Sequence, residues 1–315
     1  MLETAICGLF NVRHPILQGG MAHIGTAELV SAVSNSGGLG IIGSGFYDPN
    51  WIRGQISRAR QLTDRSFGIN IQLASPFIKD VIETILEEKV SIVTTGAGNP
   101  APEISRFKKA GIIVVPVISS VRSAVELEKA GADAVIAEGM ESGGHVGETT
   151  TLALVPQVAE RVQIPVIAAG GICDGRGLAA ALALGAQGVQ MGTRFVCSTE
   201  CIADEKYKQK ILEANDQATI VTRQVLGMPQ RSLKNSLTER FQELEKAGAS
   251  KADLELFDKN RMFLGLIEGD IEDGALLAGQ IAGMIKDIRP VKSIIEDTIE
   301  EAEKIISYLN KYLKE

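Results

Sequence analysis

Short apolar runs and amphipathic stretches alternate along most of this chain. The runs are His14–Gln18, Leu39–Gly43, Phe67–Ile71, Ser91–Thr95, Ile112–Val117, Ala134–Glu138, Pro165–Ala169 and Val189–Gly192. They are rich in β-branched residues and most close on a glycine or a polar side chain, the pattern of parallel strands buried on both faces. Their spacing of roughly 20–30 residues is the length of one β/α unit. Between them, stretches such as VRSAVELEKAGA and GRGLAAALALGA place apolar residues at helical intervals and stop at a glycine. Eight such units predict an α/β fold, a closed (β/α)8 TIM barrel, with an open doubly wound sheet as the alternative.

The rhythm breaks from about Glu200 to Gly283. Charged, helix-patterned segments (YKQKILEAN, LTERFQELEKAG, KADLELFDKN) take over, with one β-like piece at Ala218–Val225. Residues 200–283 are therefore expected to form an added, mostly helical lid or substrate subdomain near the C-terminus. Residues 1–199 and 284–315 would form the barrel itself. Beyond the insertion, apolar positions 291, 294, 295, 299, 302, 305, 306, 309 and 313 make one helical stripe. That stripe predicts a last helix packed back on the barrel.

Composition narrows the function. The 315 residues are 45% hydrophobic but only 4% aromatic, with 33 glycines, as suits an aliphatic β/α core with many tight turns. A net charge of −7 argues against a phosphate-backbone binder, so no nucleic-acid partner is expected. No apolar run approaches the roughly 18 residues that cross a bilayer, and the N-terminus does not read as a signal peptide. A cytoplasmic protein with reduced cysteines is expected: Cys7, Cys173, Cys197 and Cys201 lack framework spacing, and three histidines are too few for a Cys/His zinc site.

The chemistry concentrates at strand ends. Ala168-Ala169-Gly170-Gly171-Ile172 and Gln190-Met191-Gly192-Thr193-Arg194 close the seventh and eighth units, where barrels often build a phosphate site from backbone amides. Glycine lets a phosphate approach those amides, and Thr193 adds a hydroxyl. The first strand ends in Gln18-Gly19-Gly20-Met21-Ala22, a turn whose backbone could lie flat against a planar ring. Asn70, Gln72 and Thr95 offer polar groups to the same mouth. A glycine-rich loop, Glu138 to Gly147, carries Gly143, Gly144 and His145. His145 is the candidate proton donor, because imidazole titrates near neutrality. Glu138, at a strand end, could be catalytic or could pin this loop through backbone amides, and pinning is the favoured reading.

Together PILQGGMA, GGLGIIGSG, SFGINIQLASPF, VTTGAGNP, ADAVIAEGMESGGHVGETTTL, IPVIAAGGICDGRG, GVQMGTRF and AGQIAG resemble the flavin-dependent enoyl-acyl carrier protein reductase II of bacteria, a relative of the nitronate monooxygenases. The resemblance runs from about residue 10 to 285. It implies FMN as cofactor, NADH or NADPH as co-substrate, and a ping-pong hydride transfer to an enoyl thioester carried on acyl carrier protein. By the same resemblance Gly20, Met21, Asn70, Gly170, Gly171, Gly192 and Thr193 contact FMN, and His145 matches the family's active-site histidine. Thr95, Glu138, Gly143 and Gly144 complete the cofactor-side candidates. Some members respond to a monovalent cation, for which no ligands stand out here, and a homodimer is the prior for the scaffold.

No G-x-G-x-x-G sits between a strand and a helix with an acidic residue beyond it, as a Rossmann fingerprint requires, so a nicotinamide cofactor would visit the flavin transiently. Docking an acidic carrier protein on an acidic chain calls for a local basic patch. Arg223, Arg231, Lys234 and Arg240 are the candidates. Two other functions remain open: a nitronate monooxygenase or NADH:quinone reductase on the same scaffold, and a non-redox barrel that holds a substrate phosphate.

Overall fold

Eight parallel strands close into a barrel in this computed structural model, which describes residues 2–312. In chain order the strands are β1 (Ile16–Gln18), β2 (Gly40–Gly43), β3 (Phe67–Gln72), β4 (Ile92–Gly96), β5 (Ile113–Ile118), β6 (Val135–Glu138), β7 (Gly144–His145), β8 (Val166–Ala169), β9 (Gly188–Met191), β10 (Thr219–Thr222) and β11 (Gln230–Leu233). The barrel order is β1-β9-β8-β6-β5-β4-β3-β2, so all eight predicted runs are barrel strands. The seam between β1 and β2 is narrow. Leu17 bridges Leu39, and Gln18 N–H and Leu39 N–H donate to Leu39 O and Ile16 O at 3.0 and 2.9 Å. The wholly buried Gln18 side chain reinforces it, accepting from Ile41 N–H at 3.1 Å and donating to Ile41 O at 3.2 Å.

Strand alternation divides the core in two. Leu17, Leu39, Ile41, Ile92, Val115, Ile136 and Ile167 fill the barrel interior, and Ile6 and Phe10 from the short helix Ala5–Phe10 close its lower end. The other strand faces pack against the helices. The expected glycine stops occur: Gly131 (φ +102°) follows Val121–Ala130, and Gly185 (φ +94°) follows Gly175–Ala183. Helix Val291–Leu309 returns to the barrel, where Glu301 accepts from Gly175 N–H at 2.8 Å. Its stripe is buried from Val291 to Ala302, but Leu309 is exposed; Leu313 lies outside the described residues.

The segment 200–283 is less purely helical than its pattern predicts. Helices Glu205–Leu212, Ser236–Lys246, Lys251–Asp258 and Arg261–Leu266 accompany a three-stranded sheet in the order β10-β11-β7. The β-like piece is β10. Its partner β11 is not evident in the sequence, and β7 comes from the His145 loop of the barrel. The inserted segment therefore grips the barrel loop through backbone hydrogen bonds.

Candidate active site

A cavity of about 540 Å³ opens at the carboxyl ends of the barrel strands, within the range of roughly 300–1,000 Å³ usual for cofactor sites. Gly20, Met21, Asn70, Glu138, Gly143, Gly144, His145, Gly170, Gly171, Gly192 and Thr193 all line it, and so does Gln72. Thr95 does not. Ile92 belongs to the barrel interior and Val93 to the helical layer, so Thr94 faces inward and Thr95 outward, where it is buried. Thr94 accepts from Asn70 Nδ2 at 2.9 Å and is the residue that orients this amide.

The glycine loops have distinct reasons for their composition. Gly170 and Gly171 adopt φ of +85° and +73°, and a Cβ on Gly170 would lie 2.8 Å from the Gly139 carbonyl oxygen. A Cβ on Gly20 would meet Asn70 Cβ at 2.1 Å. The first-strand turn is thus glycine because Asn70 packs against it, a cause that the turn sequence does not reveal. The amides of Gly171, Gly192 and Thr193 donate to no backbone carbonyl among the described residues. Thr193 Oγ1 accepts from Gly279 N–H at 2.9 Å, which leaves its own proton to donate. Gly279 belongs to the AGQIAG stretch, whose backbone packs on the His145 loop: Gln280 N–H donates to Glu141 O at 2.9 Å.

Glu141, not Glu138, pins that loop. Its carboxylate accepts from Thr151 N–H at 2.9 and 3.0 Å and from Thr151 Oγ1 at 2.9 Å. Glu138 instead sits on the cavity wall, where burial pushes its pKa up to about 7, with Ser142 opposing. The folded protein therefore keeps a proton on Glu138 that the unfolded chain sheds near 4.5. Stability from this group is complete below that value and lost as pH rises to about 7. Glu138→Gln, which cannot ionise, should stabilise the ligand-free protein by roughly 1–3 kcal/mol at about pH 8 and have little effect near pH 4.5. Urea unfolding at the two pH values measures the difference.

Arg231 clamps the loop from the other side. Its guanidinium is buried and donates to Met140 O at 3.0 and 3.1 Å and to Thr219 Oγ1 at 3.1 Å. Arg231→Met should cost roughly 1–3 kcal/mol of stability in urea unfolding, because it leaves the Met140 carbonyl unsatisfied. Arg223 is also buried, paired with Asp258 and lying 4.9 Å over the Phe241 ring. Arg240 pairs with Asp273, so of the four residues expected to form a basic docking patch only Lys234 is exposed without an ion pair among the described residues. The patch is not a surface feature; two of its members are internal struts.

Half-buried His145 is the one histidine that lines the cavity. Burial and the nearby Arg223 charge lower its pKa, with Asp258 opposing, so it is neutral at neutral pH. A neutral ring presents one N–H donor and one acceptor nitrogen. His23 bonds Tyr47 through Nδ1 at 2.8 Å, and His14 is buried.

The nitronate monooxygenase family model matches residues 3–83 and 72–301. The chain belongs to the nitronate monooxygenase family. Like its relatives, this family member is an oxidoreductase. It superposes on FabK from Thermotoga maritima with a TM-score of 0.97 at 49% identity, over 99% of this chain and 100% of that one. Among curated proteins it is 35% identical to an octahydroindene carboxyl-CoA dehydrogenase of Mycobacterium tuberculosis, over 96% of both chains. It is 36% identical to a protein named probable nitronate monooxygenase from Staphylococcus saprophyticus, over 78% of this chain and 82% of that protein. The four cysteines of this family member are buried free thiols, and no described helix is long and apolar enough to cross a membrane.

Proposed function

We propose that this protein is an FMN-dependent reductase of enoyl thioesters, using NADH or NADPH and taking its substrate from acyl carrier protein. The observation that carries the reading is the placement of neutral His145 across one cavity from the glycine loops of β8 and β9. The residues present suit FMN. The amides of Gly171, Gly192 and Thr193, with the Thr193 hydroxyl, form a cradle for its phosphate. Gly20, Met21 and Asn70 offer a close backbone approach and an oriented amide to its ring. When bound, FMN would supply hydride exchange between the nicotinamide and the β-carbon of the enoyl thioester.

The chain's own residues would do the rest. His145 donates a hydrogen bond to the thioester carbonyl, where negative charge builds as the β-carbon gains hydride. We take residues 200–283 as the substrate-side segment, because Gln230, Met262, Leu266 and Leu277 from it wall the cavity. The motif resemblance and the carboxyl-CoA thioester in the name of the mycobacterial relative both favour a thioester acceptor.

A second reading, oxidation of nitronates, is favoured by the staphylococcal relative's name. Anaerobic reduction of the flavin by NADH, followed by mixing with an enoyl thioester, separates the two. Rapid reoxidation is expected. Reduced flavin that persists with the thioester but discharges to quinone would overturn the proposal, as would failure of NADH to reduce it combined with turnover of alkyl nitronates in air.

A further inference from the structure

The antiparallel pair β7–β11 brings a second polar side chain beside His145. Gln230 lies directly opposite His145, and Arg231 opposite Gly144. Val146 N–H donates to Pro229 O at 3.0 Å. That bond makes 146/229 a hydrogen-bonded position, so 145/230 is the narrow, non-bonded position next to it. Cα atoms at such a position are about 4.5 Å apart, and the side chains rise together on the same face of the sheet.

Both residues line the cavity, so that shared face is the cavity face. On the other side of β11, the residue opposite Gln230 is Thr222. Its hydroxyl already accepts from Arg223 at 2.9 Å. Gln230 itself is 4% exposed, and its carboxamide makes no hydrogen bond to any described residue. Neither carboxamide atom is fully sealed from solvent, so the small exposure that Gln230 keeps is onto the cavity, where a ligand can supply the partner it lacks.

We propose that Gln230 is a second catalytic hydrogen-bond donor, its Nε2–H sharing the substrate thioester carbonyl with His145 Nε2–H or Nδ1–H. Two neutral donors on one oxygen suit the charge that develops there, and neither needs to ionise within a dry site. The inserted segment thereby contributes to the chemistry as well as covering it: β11 holds Gln230 and, through its ladder, sets the position of His145. This inference rests on the enoyl thioester reading.

The test uses the holoenzyme with crotonyl-N-acetylcysteamine labelled with carbon-13 at the carbonyl. Isotope-edited infrared spectra of the thioester bound to oxidised enzyme report hydrogen bonding at that oxygen without turnover. Native protein is expected to shift the carbonyl band to lower wavenumber. Gln230→Met, similar in size but without the amide, should lose part of that shift, and Gln230→Glu should lose a comparable part. The rate of thioester reoxidation, taken relative to NADH reduction of the same sample, should fall roughly 10–100-fold in both variants. A merely structural role for Gln230 would not move the band.

Unchanged band position and unchanged rate ratio in both variants would overturn the inference. Should the native reduced enzyme fail to pass electrons to the thioester, the enoyl reductase reading falls. The band of the bound probe then still decides whether Gln230 touches the carbonyl, and failure of the probe to bind overturns both.

Discussion

Replacing His145 with alanine is expected to leave FMN bound and to slow reoxidation of the flavin by an enoyl thioester about 10²–10³-fold, the usual effect of losing one oriented donor at a developing oxyanion. The reason is positional. His145 is held on a two-residue strand that pairs with β11, on a loop tied down by Glu141 at Thr151 and by Arg231 at Met140. Its ring therefore has little freedom, and a donor beside it that already shares the same oxygen does not make up for the lost N–H. Stopped-flow measurement of each half-reaction checks this. An unchanged thioester half-reaction would remove His145 from the mechanism.

The pH dependence follows from the lowered pKa. Burial and Arg223 keep the imidazole uncharged above its ordinary value of 6.5, so the donor form is present throughout neutral and mildly alkaline solution. The thioester half-reaction should be flat across that range. A tenfold fall in rate per pH unit above about 6.5 would mean that imidazolium is the working form, against the electrostatics of the site.

Gly171→Val should weaken FMN binding by about 100-fold. A branched side chain at this strand end would hold the phosphate off the Gly171 amide, and a charge-assisted hydrogen bond of this kind is worth roughly 1.5–3 kcal/mol. Some strain accompanies the change, since φ is +73° at Gly171. Gly171→Ala separates the two effects. Its Cβ would make only ordinary contacts, at 3.5–3.6 Å with Glu141, so it carries the strain with little of the bulk. Fluorescence titration of the ligand-free variants with FMN, with circular dichroism to confirm folding, measures both. Equal affinity in Gly171→Val and native protein would place the phosphate elsewhere.

Much of this site is legible before any coordinates. The glycine pairs at the ends of the seventh and eighth barrel strands, the Gly20 turn, Asn70 and the His145 loop all converge on one cavity. Each follows a run whose strand character is written locally, and barrel topology brings all such ends to one face. The departures come from contacts between residues distant in sequence. Thr95 reads as the polar group at the mouth, but Thr94 is the one that faces the barrel interior and holds Asn70, because a shift of one residue in strand phase turns a side chain to the opposite face. The pinning carboxylate is Glu141 because the loop turns back toward Thr151, while Glu138 remains on the wall. Both residues look alike in a run reading EGMES.

The basic residues make the same point with the opposite sign. Arg223 and Arg231 sit in a charged, helix-patterned segment, where the default reading is a solvated face. They are buried because β10 and β11 fold against the barrel loop, and each guanidinium finds an internal acceptor there. Gln230 carries no local mark at all. Its place opposite His145 depends on pairing two strands that are some 85 positions apart.

The sequence by itself determined the eight β/α units, the closed barrel and the strand-end glycines, since buried strands, amphipathic helices and turn glycines are each set by neighbours within a few positions. Tertiary structure alone decided which threonine faces inward, which glutamate ties the loop, which arginines are struts and what stands beside His145. Those outcomes depend on strand phase, long-range pairing and burial, which short-range pattern does not encode.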